Sequence, residues 1–124
     1  MKSSSPLGAA IELAVSVNPK FITHRKPVKY LCYFRTLSGR VFAFERVTKS
    51  QITLWLPEDA NARAAAEAEG LLVTKSEPFQ DSFDARKYGR ISSLAAEPQL
   101  KHAPLYRIPV YTVSQAVAVL GALS

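Results

Sequence analysis

The 124-residue chain carries 16 lysines and arginines against 10 acidic residues, for a net charge of +6. Its 48% hydrophobic and 21% charged content is that of a globular domain, so a disordered or fibrous chain is excluded and one domain over 1–124 is expected. A single cysteine, Cys32, excludes an internal disulfide, and with only His24 and His102 beside it no structural zinc site has enough ligands.

The first five residues read as a flexible tail that ends in a helix start. Ser5 offers a capping hydroxyl and Pro6 suits the first helical position. Leu7, Ile11, Ala14 and Val15 then share one face, and Asn18-Pro19 stops the helix. Glu12 interrupts the apolar run, and Asn18-Pro19-Lys20 stands where a signal-peptide cleavage site would lie. No apolar run approaches the ~20 residues that cross a bilayer. A soluble, cytoplasmic protein with no membrane partner is therefore expected. Thr23-His24-Arg25-Lys26 reads as a loop, with Lys26 held extended by Pro27.

Three segments rich in β-branched and aromatic residues follow: Val28 to Thr36, Arg40 to Val47 and Gln51 to Leu56. The short connections Leu37-Ser38-Gly39 and Thr48-Lys49-Ser50 predict an antiparallel meander, because parallel crossovers need a dozen or more residues. Alternation places Cys32 and Phe34, Phe42 and Phe44, and Ile52, Leu54 and Leu56 on faces opposite to Leu31, Tyr33 and Arg35, Val41 and Ala43, and Thr53 and Trp55. Pro57-Glu58-Asp59 opens an alanine-rich acidic helix that Gly70 ends. Leu71 to Lys75 is a predicted fourth strand. Glu77 to Pro104 is a long loop of the kind that carries function, with a helical turn at Ser92 to Ala96. Leu105 to Thr112 is a fifth strand, assigned to an edge or a bulge because of Pro109. Ser114 to Leu123 is an apolar C-terminal helix. The order predicts an α+β fold on an antiparallel sheet of about five strands.

Charge is sorted along the chain. Lys20 to Ser50 holds eight basic side chains against Glu45 alone. Leu56 to Asp84 holds seven acids against Arg63 and Lys75, and Ala85 to Val110 turns basic again with Arg86, Lys87, Arg90, Lys101 and Arg107 against Glu97. Two basic segments that converge on one side would suit a polyanion.

Within them, Arg35, Arg40 and Arg46 lie on or beside the first hairpin, with Arg35 and Arg46 as candidate neighbours across it. Tyr33 and Trp55 supply rings on nearby strands. Cations for phosphates and rings for bases are the parts of a nucleic-acid platform. The alternative is a two-faced sheet with Trp55 in its core. Arg25 and Lys26 add donors in the preceding loop. Arg86-Lys87-Tyr88-Gly89-Arg90, followed by two serines, is the most ligand-like loop.

Enzymatic readings are weaker. Asp84 with Gln99-Leu100-Lys101 makes only a degenerate metal-nuclease signature, bracketed by Pro98 and Pro104. Neither histidine has a sequence-adjacent carboxylate to orient it, and the glycines are scattered singly. No cofactor is expected.

A compact sheet domain with these basic loops resembles, at the level of fold, the small DNA-reading modules attached to restriction and other defence enzymes. The expectation is a non-enzymatic nucleic-acid-binding module for DNA over RNA, contacting its partner through Arg25, Lys26, Tyr33, Arg35, Arg40, Arg46, Trp55, Arg86, Lys87, Tyr88 and Arg90. The alternative is a protein-interaction module or inhibitor acting through the apolar C-terminal helix and the segregated charge, that helix meeting a second copy (a homo-oligomer) or a neighbouring domain.

Overall fold

A computed structural model describes residues 5–27, 31–46, 50–76, 97–101 and 103–123. The elements in chain order are α1 (Pro6–Ser16), β1 (Phe21–Arg25), β2 (Leu31–Thr36), β3 (Val41–Glu45), β4 (Ile52–Pro57), α2 (Ala60–Ala68), β5 (Thr74–Ser76), α3 (Pro98–Lys101), β6 (Leu105–Val110) and α4 (Val113–Ala122). All six strands join one antiparallel sheet in the order β1-β2-β3-β4-β6-β5. The α+β class and the β2–β3–β4 meander follow the sequence pattern. The helical turn predicted at Ser92 to Ala96 lies outside the described residues.

The sixth strand is β1, in the segment that reads as a loop. Phe21–Arg25 is a short edge strand between Pro19 and Pro27, and only its pairing with β2 reveals it. The ladder slips between Thr23 and Arg25, which turns His24 and Arg25 toward the second face of the sheet. The edge assignment of the last strand is also corrected. β6 lies between β4 and β5, and it tolerates Pro109 because β5 reaches only from Leu105 to Arg107.

The first face is covered by helices. Ile11 and Val15 of α1, Ala62 and Ala66 of α2, and Ala116, Val119 and Leu120 of α4 pack on Cys32, Phe34, Phe42, Phe44, Ile52, Leu54 and Leu56. Phe34 stacks on Phe44 at 5.7 Å, and Phe21 meets Phe42 edge-on at 5.3 Å. Such aromatic pairs add about 0.5–1.5 kcal/mol beyond simple burial. The small alanines of α2 leave room for α4 beside it, while Glu67 and Glu69 face solvent. Ser5 is the N-cap of α1 and accepts from the Gly8 amide at 3.0 Å. Asp59 and Thr112 cap α2 and α4 in the same way. No helix among the described residues is long and apolar enough to cross a membrane.

The second face is apolar at its centre too. Leu31, Tyr33, Val41, Ala43 and Trp55 form a separate cluster with Leu105 and with Leu100 of α3. The long predicted loop therefore contributes a one-turn helix to the core.

The start of α1 presses on the end of β3. The Ser5 amide donates to the Arg46 carbonyl at 2.8 Å, and a Cβ on Gly8 would collide with that same carbonyl. Gly121, near the end of α4, faces open space. Gly8→Ala should therefore cost about 1–3 kcal/mol, whereas Gly121→Ala should stabilise by about 0.5–1 kcal/mol. Urea unfolding followed by Trp55 fluorescence measures both, and equal effects would contradict the close approach at Gly8.

Candidate nucleic-acid interface

Residues paired across antiparallel strands share a face. Arg25 pairs with Tyr33, Tyr33 with Ala43, Ala43 with Trp55, and Trp55 with Arg107. The result is one row across β1, β2, β3, β4 and β6, on the side away from α1, α2 and α4. A guanidinium lies over a ring at each end. Arg25 sits 5.6 Å from the Tyr33 centroid and Arg107 sits 6.0 Å from the Trp55 centroid, both within cation–π range. Ala43 is the small residue in the middle, and α3 packs over β3 there.

A polar chain runs alongside this row. His24 Nε2 donates to Glu97 Oε1 at 2.8 Å, and Arg35 Nη1 approaches His24 Nδ1 at 3.3 Å. Arginine has no acceptor, so Nδ1 must accept and the proton must sit on Nε2. Arg25 Nη1 lies 3.6 Å from the same Glu97 oxygen, and Glu97 Oε2 accepts from the Gln99 amide at 3.0 Å. Glu97 is 5% exposed. Its carboxylate thus ties α3 to β1 and holds Leu100 over the second core. The partner that His24 lacks in the local sequence is supplied from 73 positions away.

The structure separates the predicted site residues into groups. Arg25 (side chain 42% exposed), Lys26 and the half-buried Arg35 stand at the β1–β2 end of the second face or its edge. Arg40 does not join them. Its guanidinium donates to the Glu58 carbonyl at 3.0 Å and lies 3.9 Å from Asp59 at the start of α2. Arg46 is not a neighbour of Arg35, because Arg35 pairs with Val41. Arg46 instead lies near Cys32 on the α1 side. Arg86, Lys87, Tyr88 and Arg90 lie outside the described residues.

Tyr33 and Trp55 are only 1% and 2% exposed. The stacking of bases expected of them is not open to rings buried this deeply. Their place in the row makes them supports for Arg25 and Arg107 instead. Burial also pushes the Tyr33 phenol up, an effect that Arg25 opposes and Glu97 reinforces. Trp55 Nε1 is a buried donor with no acceptor among the described residues.

Arg107 is the member of the row that sequence reasoning missed as a site residue. The signal was its strand parity, since Leu105, Arg107 and Pro109 share a face opposite to Tyr106, Ile108 and Val110. Reading that signal required knowing that β6 lies beside β4.

A cleft of about 400 Å³ opens between α1 and the β1–β2 edge, lined in part by Glu12, Ser16, Thr23 and Arg25. Nearby, Cys32 is fully buried. Burial pushes its thiol up to about 12, with the Glu12 carboxylate adding to the shift and Arg46 opposing it.

Fold and site together define a small α+β domain with a cationic row on the sheet face opposite α1, α2 and α4. No protein-family model matches the chain, and neither a curated protein nor a solved structure matches it.

Two outcomes test the site's construction. Glu97→Ala removes the contacts to His24, Arg25 and the Gln99 amide at once, so it should cost about 1–3 kcal/mol and shift Trp55 emission toward that of the unfolded chain. A stable variant with unchanged emission would show that Glu97 does not hold α3 down. The Cys32 thiol should resist an aromatic disulfide reagent at pH 8 in the folded protein and react once the chain is unfolded. Between pH 9 and about 12 the unfolded thiol has lost its proton and the folded one has kept it. Stability should therefore fall with rising pH across that window.

Proposed function

We propose that this protein is a non-enzymatic nucleic-acid-binding module for DNA, and that the sheet face carrying Arg25, Arg35 and Arg107 is its contact surface. The observation that carries this reading is the convergence of charge. Arg25 and Arg35 come from the first basic segment and Arg107 from the second, yet all three lie on one side of the sheet. Helix α2, flanked by Glu58, Asp59 and Glu69, packs on the other side.

The chemistry of the row suits phosphate contacts. A guanidinium laid on a ring loses little freedom when it binds, because its orientation is already set. Its planar N–H fork matches the geometry of a phosphate. Phosphate contacts supply affinity without sequence choice, so binding should be strong at low salt and largely indifferent to sequence. Glu97 lowers the net charge of the surface, and its position beneath Arg25 orients that arginine.

Binding of a labelled DNA oligonucleotide, followed by fluorescence anisotropy across a salt series, tests the reading. Log affinity should fall linearly with log salt, by about 0.9 for each phosphate neutralised. Arg25→Ala and Arg107→Ala should each reduce that slope by about 0.9. Arg40→Ala, on the α2 side, should leave it unchanged. Affinity that ignores salt, or equal effects of all three variants, would refute the assignment.

A further inference from the structure

We infer that the partner is duplex DNA, gripped through its backbone across a groove, and not single-stranded nucleic acid. This rests on the proposed function and specifies the substrate class of the same face.

The first argument is the placement of the rings. Non-specific single-strand binders gain about 1–3 kcal/mol for each base stacked on an aromatic side chain. That gain requires an open ring face. On this surface Tyr33 and Trp55 are covered, and each lies beneath an arginine. The described surface therefore offers charge at the very points where a single-strand platform would offer rings. A duplex keeps its bases stacked on one another and asks only for cations along the backbone.

The second argument is shape and spacing. Tyr33 and Trp55 are two strand spacings apart, about 10 Å. The Cα atoms of Arg25 and Arg107 are four spacings apart, about 19 Å. The two guanidiniums, which lean inward over the rings, fall between these limits. The major groove of B-form DNA is ~12 Å wide, so its two walls of phosphate lie within this range. Between the arginines, α3 stands over β3 with Leu100 rooted in the core. Two cations held this far apart match the two anionic walls of one groove. A single strand has no such pair of walls, and it must be ordered before it can meet two fixed cations. Duplex RNA fits less well, because its major groove is deep and narrow.

The test compares the full chain on three labelled probes of one sequence: a 20-base-pair DNA duplex, its single strand, and the matching RNA duplex. Affinities are measured by anisotropy at two salt concentrations. The DNA duplex should bind at least tenfold more tightly than either of the others. The Arg25→Ala/Arg107→Ala double variant should lose about 1.8 from the duplex salt slope, and Arg25→Gln/Arg107→Gln should repeat the loss if the alanine form folds poorly. A single strand or RNA duplex bound as tightly as DNA duplex would overturn this inference while leaving nucleic-acid binding intact. Failure to bind any probe would instead overturn the proposed function itself.

Discussion

Burial on both faces of β2, β3 and β4 is the constraint from which the rest of the structure follows. Cys32, Phe34, Phe42, Phe44, Leu54 and Leu56 are hidden on one side, and Leu31, Tyr33, Val41, Ala43 and Trp55 on the other. Leaving either side in water would forfeit about 1.5–3 kcal/mol for each large apolar side chain. One side is closed by three helices. Among the described residues the other is closed by α3, a single turn too short to stay in place by its own hydrogen bonding. The Glu97 carboxylate supplies the missing attachment. It caps the turn at Gln99 and reaches His24 and Arg25 on the edge strand.

The same clip shapes the cationic surface. Arg25 is held between Glu97 and the Tyr33 ring, and Arg35 is held against His24. Both arginines are thus ordered by groups whose primary task is to seal the core. Arg107 has a different support, the Trp55 ring on the neighbouring strand. The aromatic residues that look like a binding surface in the sequence belong to the core, and the cations that rest on them make the surface. Core packing and charge display are therefore coupled, and a change beneath the row alters both.

The meander was legible because its physics is local. Period-two alternation over Leu31–Thr36, Val41–Glu45 and Ile52–Pro57 fixes which side chains share a face. Ser5-Pro6 and Gly70 mark helix ends by chemistry that acts within a turn. Phe21–Arg25 failed that test because five residues next to proline-bounded turns carry little periodicity, and an edge strand borrows its regularity from its neighbour. Pro98–Lys101 failed it because a four-residue helix is defined by Leu100 finding a pocket over Ala43, which no local pattern encodes.

Taken alone, the sequence determined the α+β class, the two-faced meander, the helix caps and the sorting of charge into basic and acidic segments. All of these depend on residues a few positions apart. Tertiary structure decided which charges stand together. It parted Arg35 from Arg46, committed Arg40 to the start of α2, and brought Arg107 into line with Arg25. It also gave His24 a carboxylate from Glu97. Strand order and ladder register bring distant segments into contact, and they are set by the packing of the whole chain and not by any one segment of it.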